Sequence, residues 1–466
     1  MNIIKKILFN HVNILYALIT VMLLSSVAII SPITTELNIV ILIWGGIYFI
    51  YDFLNNKTCL KSRYKSFLIA YMLVFFIGVL INIKNNPIDN IKNFIYSGFF
   101  LFLVYSYNSN KLLDKVKREL INFNNIVISI SSIVGFASLM TFIFFIQFTY
   151  NDIPQGFIYP DSPALWGFYS NPNSGGMVSV LSIILTIVNI SLYKVSSNKN
   201  KAKLRNTYYI INIIIQWLYL VLCNSRGAVV SLLASILFLT FYLCYYRYNI
   251  KFSNIKSIFI ALFISILVLM AYNFTLSISK ISLSYIPELI ESTYSKDKNI
   301  DTSKDSSIIL DRTIEDGHIS TGRVEIWTYG LNTLKFNPLF GHAPSNIGLA
   351  KQNLYPNETS RYIITNNMHN GYIQILLANG ILGILFFGTF IILIAKDSLL
   401  YLFDKRLKID VNQKKLIFLI LLPIISIAVN GLFENVILLT QSYITTILWT
   451  YLGYLSLNID KSKSLK

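Results

Sequence analysis

Apolar residues along this chain come in long unbroken runs. They show neither the alternation of a half-buried strand nor the three-to-four spacing of an amphipathic helix. Crossing the hydrocarbon of a bilayer takes roughly 20 consecutive apolar residues. Twelve such runs can be marked, at about 12–30, 38–54, 67–83, 91–107, 126–148, 174–193, 207–223, 227–246, 257–275, 370–395, 416–433 and 437–457. In lipid every backbone polar group must be satisfied within the protein, so each run predicts a helix. The expected fold class is an all-α integral membrane protein of about 12 transmembrane helices, with one large extracytoplasmic loop carrying short interfacial helices. Three regions follow: helices one to nine over 1–275, the loop subdomain over 276–369, and helices ten to twelve with a cytoplasmic tail over 370–466.

Composition excludes the other broad classes. The chain of 466 residues is 54% hydrophobic and only 13% charged, against about a quarter charged in a soluble domain. A soluble globular protein, a disordered chain and a repeat solenoid are all ruled out. The net charge of +17 would suggest nucleic acid in a soluble protein, but here the placement of charge decides otherwise. Of the 39 basic residues, 27 fall on alternate connections and the two termini. By the positive-inside rule that side is cytoplasmic, so both termini are inside and the span number is even. The basicity is topology, and no nucleic-acid partner is expected. A cleaved signal peptide, for which Ser26 and Ala28 supply a small-residue pair, would spoil this alternation, so the first run reads as an uncleaved span. Cys223 and Cys244 fall at opposite ends of two adjacent spans, roughly 30 Å apart by helical rise, and no disulfide or cysteine metal site is expected.

Two connections are long. Residues 149–173 are rich in proline, glycine and aromatics. Within 276–369, a short helix is expected over 285–295 after Pro287, and a polar stretch without periodicity over 296–320. Residues 322–336 place Val324, Trp327, Leu331 and Leu334 on one helical stripe. That stripe suits a helix in the membrane interface, or equally one packed on the bundle.

Candidate chemistry concentrates where spans begin on the non-cytoplasmic side. Arg226, in Asn224-Ser225-Arg226-Gly227, stands at the start of span eight with almost no loop to carry it into water. There free N–H groups and the macrodipole also attract an anion; the bland alternative is an arginine reaching lipid phosphate. Asn171 and Asn173 open span six, and Asn370 opens span ten, each with the side chain of a natural cap. His369, flanked by asparagines, can take a proton from a hydroxyl near neutral pH. Arg323 heads the loop helix and is a second candidate phosphate ligand, or else a surface partner of Glu325. His318 and His342 read as structural, and Arg312 and Arg361 are weaker candidates. Asp52 and Glu434, near span ends, read as boundary residues. No nucleotide loop, paired metal-ligand histidines or acidic metal cluster is present, so neither metal nor cofactor is expected.

The Asn-Ser-Arg-Gly turn, the helix beginning Gly322-Arg323 with Trp327, its Pro338-Leu339-Phe340-Gly341 exit, and Met368-His369-Asn370-Gly371-Tyr372-x-Gln374-x-Leu376-x-x-x-Gly380 together resemble the O-antigen ligase and polymerase superfamily. The specific motifs span about 220–390. One departure is Gly341-His342-Ala343-Pro344, where the superfamily usually has Gly-x-Gly. The resemblance implies a metal-independent membrane glycosyltransferase acting at the outer face of a bacterial cytoplasmic membrane. Its implied partners are undecaprenyl-diphosphate-linked oligosaccharides as donor and acceptor, and the bilayer; a chain-length regulator and a flippase are candidate protein partners. Arg226 and Arg323 match the family's diphosphate-binding arginines and His369 its catalytic histidine, with Ser225, Asn370, Asn171 and Asn173 beside them as substrate-binding candidates. The residue usage, typical of an AT-rich genome, favours a capsule or O-antigen polymerase over a ligase acting on lipid A-core. A flippase is the alternative from another class, but it gives little reason for so large an outer loop.

Overall fold

A computed structural model of the chain describes residues 5, 7–107, 111–159, 163–193, 199–286, 308, 310, 322–358, 360–403 and 410–464. Each of the twelve apolar runs overlaps a helix, although the runs at 12–30, 126–148, 416–433 and 437–457 extend past the helix ends. The helices before the loop are α1 (His11–Leu24), α2 (Ser31–Asn55), α3 (Lys65–Ile81), α4 (Pro87–Gly98), α5 (Leu113–Ile143), α6 (Pro172–Leu192), α7 (Lys199–Leu222), α8 (Arg226–Tyr248) and α9 (Asn254–Ser284). After the loop, where α10 (Arg323–Thr333), α11 (Ile347–Leu354) and α12 (Arg361–Ile364) lie, come α13 (Gly371–Phe403), α14 (Val411–Asn430) and α15 (Tyr443–Ser464). A π-helical stretch, Phe99–Val104, continues α4. The fold is all-α and of membrane type. Among the described residues seven helices, α2, α5, α6, α8, α9, α13 and α14, are long and apolar enough to cross a membrane. α1 and α3 are apolar but shorter, while α7 starts on Lys199, Lys201 and Lys203 and α15 ends on Asp460 and Lys461.

Two local features differ from expectation, and one expected stretch lies outside the described residues. α9 runs on to Ser284 rather than stopping near 275. Apart from Tyr285, Ile286, Ile308 and Leu310, the expected helix at 285–295 and the polar stretch 296–320 lie outside the described residues, as do Arg312 and His318. The connection 149–173 holds a small antiparallel sheet, β1 (Gln147–Tyr150), β2 (Ile153–Ile158) and β3 (Ala164–Gly167), paired in chain order. Asn151 and Asp152, both at positive φ, make the two-residue β1–β2 turn, as a twisted hairpin requires.

The chain forms two compact units. One comprises Met1–Met22, Thr34–Phe123 and Ile314–Lys466; the other comprises Leu23–Ile33 and Asn124–Thr313. In the second, buried amides and hydroxyls cross-link the helices. Asn124 donates to Asn189 at 2.8 Å, Ser131 to Ser182 at 2.7 Å, and Asn212 to Thr186 at 2.9 Å. Such pairs hold apolar helices together where lipid supplies no hydrophobic drive.

In the first unit α13 packs along α3, and α14 along α15. α13 is interrupted at Gly380, whose φ of 68° and ψ of −171° no other residue type adopts readily. The interruption frees backbone groups on both sides, and the loop exit at 338–343 satisfies them. The N–H groups of His342 and Ala343 each donate at 2.9 Å, to the Leu377 and Ala378 carbonyls respectively. In return Ile381 N donates to Pro338 O at 2.8 Å and Leu382 N to Leu339 O at 3.2 Å. The approach is so close that a side chain on Gly380 would overlap the Leu339 carbonyl, and one on Gly341 would meet Ala378. At the opposite end of α13, Arg63 pairs with Asp397 and Asp460. Asp52 accepts from Thr58 N at 3.0 Å and Thr58 Oγ1 at 2.6 Å, the boundary role expected of it. Glu119, buried in the second turn of α5, pairs with Lys111 at 2.9 Å.

The departure from Gly-x-Gly has a physical cost. Ala343, fully buried, sits at φ 63° and ψ 151°, a region that is essentially glycine's and costs other residues about 1–3 kcal/mol. Ala343→Gly is therefore expected to raise the thermal midpoint of the detergent-solubilised protein, although glycine normally lowers it. Ala343→Val should lower it by several degrees; the opposite order in a melting series would remove the strain at this turn.

Candidate active site

Arg323 is the first residue of α10. Gly322 caps that helix at φ 77°, with the Tyr362 ring where a side chain would be, so the Gly-Arg pair of the motif reflects crowding as well as turn geometry. α10 buries Ile326, Gly330 and Thr333 while Val324 and Leu331 stay exposed. The packed face is thus offset from the stripe read in the sequence, and part of that stripe remains on the surface.

The segment before α13 is tied down atom by atom. Trp327 Nε1 donates to Met368 O at 2.8 Å. Gln374 accepts from Met368 N at 2.9 Å and donates to Asn366 O at 3.0 Å. Asn370 caps α13, accepting from Tyr372 N at 3.0 Å and Ile373 N at 3.1 Å, while its amide donates to Leu432 O at 3.1 Å. These contacts explain the Met-His-Asn-Gly-Tyr-x-Gln spacing: each polar residue holds its neighbours' backbone. His369 is left at φ 45°, with its N–H donating to Asn367 Oδ1 at 2.9 Å. A histidine in the left-handed region is uncommon and gathers at functional sites.

The imidazole meets a residue the sequence reading had set aside. His369 Nδ1 lies 3.0 Å from Oε2 of Glu434, and Arg323 Nη2 lies 3.3 Å from Oε1 of the same carboxylate. The three side chains are 39%, 20% and 25% exposed for His369, Glu434 and Arg323, so the group is sheltered yet reachable. A carboxylate only accepts, so in the neutral ring the proton resides on Nδ1 and Nε2 keeps its lone pair. Glu434 stands in the turn between α14 and α15. The only signal for it in the sequence was its isolation, a lone carboxylate at the end of an apolar run.

Arg226, Ser225, Asn171 and Asn173 belong to the other compact unit. Ser225 caps α8, accepting from Ala228 N at 3.4 Å, and Arg226 follows as the first helical residue, exposed. Asn224, at φ 52°, anchors that turn by donating to Pro163 O at 2.7 Å and Leu310 O at 2.6 Å. Asn171 caps α6, accepting from Ser174 N at 2.7 Å, and Asn173 is exposed on its first turn. The two helix starts adjoin, since Gly176 packs directly against Cys223 and Ser225.

Residues 211–388 match a family model described as O-antigen ligase. This segment resembles an O-antigen ligase domain. Such domains belong to membrane glycosyltransferase-like enzymes, and at that level ligase-type and polymerase-type activities are equally supported. No curated protein matches the chain. Arg226, Arg323 and His369 all fall inside the matched segment, whereas Glu434 lies beyond its end. His342, inside the segment, is buried, and its Nε2 is 3.0 Å from the Thr333 carbonyl. Burial holds its pKa below the ordinary value, so it stays neutral and structural.

Glu434→Gln keeps the shape of the carboxylate but removes the charge that orients His369 and balances Arg323. It is expected to lower turnover by roughly 10²-fold or more, within the range of a general acid–base contribution, with little change in KM. An unchanged rate for purified Glu434→Gln would leave the carboxylate a purely structural role.

Proposed function

We propose that the chain is a polysaccharide polymerase, joining undecaprenyl-diphosphate-linked oligosaccharide repeat units at the outer face of a bacterial cytoplasmic membrane. The observation that carries this reading is the Arg323–Glu434–His369 cluster, two of whose members lie in the segment that resembles an O-antigen ligase domain. The product would be a capsule or O-antigen chain.

In the proposed reaction an acceptor hydroxyl approaches the anomeric carbon of the lipid-linked donor. His369 Nε2 takes the hydroxyl proton as the oxygen–carbon bond forms, and Glu434 stabilises the imidazolium. The carbon–oxygen bond to the diphosphate breaks, and its electron pair leaves with undecaprenyl diphosphate. Arg323 exchanges its carboxylate contact for the diphosphate, whose growing charge its fork-shaped guanidinium matches through charge-assisted hydrogen bonds. Attack opposite the leaving group inverts the anomeric carbon. Arg226, at the N-terminus of α8 in the other unit, is proposed as an anion ligand in its own right, with Ser225, Asn171 and Asn173 as polar groups at the adjoining helix starts of that unit; Asn370 positions the start of α13. Arginines in this role replace a divalent cation, so the transfer is metal-independent.

A second reading is an O-antigen ligase that moves the finished glycan to lipid A-core, since the family match supports both activities alike. Deleting the gene and running surface and lipid-linked glycans on a gel separates the two. Collapse to single repeats, restored by wild type but not by His369→Ala, is the polymerase outcome. Long chains stranded on the lipid carrier indicate a ligase, and repeats trapped in the cytoplasm indicate a flippase.

Arg226→Lys should lose most activity although the charge is kept, because the bidentate fork is gone; a near wild-type ladder would take Arg226 out of the site. Activity should also survive a strong chelator. An epitope tag in 276–369 should be reachable from outside intact cells, and protection there would invert the proposed orientation.

A further inference from the structure

A second concavity opens in the first unit, beyond the far end of α10 from Arg323. It has a volume of about 350 Å³, within the range of small-molecule sites. Five asparagines, Asn82, Asn85, Asn337, Asn346 and Asn353, line it together with Phe336. Among the described residues no Lys, Arg, Asp or Glu lines it, although the Lys335 ammonium lies over the Phe336 ring. His342 lines it too, its Nε2–H spent on the Thr333 carbonyl and its Nδ1 3.4 Å from the Asn337 amide.

The floor is built, and one donor on it is unspent. Asn86 donates to Asn346 Oδ1 at 3.0 Å and fixes that side chain, and Asn82 is pinned by donating to the Gly78 carbonyl at 2.8 Å. Asn346 is 97% buried, at 3% relative exposure, yet its Nδ2 has no partner. Burying an amide donor unpaired costs free energy, which a ligand acceptor would relieve. Phe336 leaves 59% of its surface exposed, with the Lys335 ammonium 5.2 Å from its ring centroid. Amides with a single ammonium beside them offer a diphosphate little charge compensation. Planar amides that both donate and accept, beside a largely exposed aromatic side chain, suit a polyhydroxylated ring.

We infer that this pocket is a saccharide subsite, binding a neutral sugar of the glycan remote from the bond being formed. The inference rests on the proposed function only for the source of that sugar. α10 connects the two places: its eleven residues put Arg323 and the pocket roughly 15 Å or more apart at about 1.5 Å per residue. A glycan of several sugars can reach from one to the other. Trp327 meanwhile fastens α10 to the His369 segment, so binding energy gained remotely can be used to place the reacting end.

The test uses full-length detergent-purified protein and saturation-transfer NMR. The probe is the repeat-unit oligosaccharide released from the host's surface glycan by mild acid. Wild type and His369→Ala should both transfer saturation to sugar protons. Phe336→Ala and Asn353→Ala, both at exposed positions, should weaken binding at least tenfold while eluting and melting like wild type. In a transfer assay those two variants should raise KM for the acceptor with kcat nearly unchanged. A wild-type protein that gives no transfer, or variants that bind as well as wild type, would overturn the subsite. Neither result touches the catalytic reading, which stands or falls on the glycan ladder of His369→Ala.

Discussion

The demand that backbone groups be paired away from water governs this fold most sharply at Gly380. A helix may break at membrane depth only if something re-satisfies the exposed carbonyls and amides. Here the partner is the exit of the extramembrane loop, which exchanges four backbone hydrogen bonds with the two sides of the break. The loop is thereby stitched into α13 rather than draped over it. Because α10 leads directly into that exit, the seam at Gly380 also fixes where Arg323 can stand relative to the helix that begins after His369.

Glu434 completes the arrangement from a third direction. It reaches the site from the turn after α14, and its two oxygens divide between a guanidinium and an imidazole. One carboxylate thus selects the tautomer of the neutral histidine and pairs with the arginine. Gln374 and Asn370 do for the backbone what Glu434 does for the side chains. The site is preorganised by groups that need not touch the substrate.

Much of this was legible in the sequence, and the reasons differ from part to part. The helical, membrane-type fold was readable because lipid imposes one local rule on every span. His369, Arg323 and Asn370 were readable because their types are rare or characteristic at helix starts. Glu434 was not, since its partners lie 65 and 111 positions away in the chain and a lone acid near a span end looks like a boundary marker. The sheet at 147–167 was missed although Asn151-Asp152 carries its turn signal; proline, glycine and aromatics around it masked the short strands. The packed face of α10 was left open because Gly330, which has no side chain to count as apolar, is where the helix approaches Met368. Ala343 shows the converse, a sequence oddity whose meaning appears only as a backbone angle.

The seam at Gly380 also bears on how such proteins can diverge. Gly380 and Gly341 face each other's backbones, and the Phe340 carbonyl lies against Gly78 on α3. A substitution at any one of these positions is resisted by main chain supplied by another. The stretch from 338 to 382, with its contact on α3, is therefore inherited as a block. A recombination that joins the loop of one lineage to the broken helix of another brings together two halves of a seam that were never fitted. Lineages can be expected to exchange spans and loop tips freely while carrying this junction forward intact.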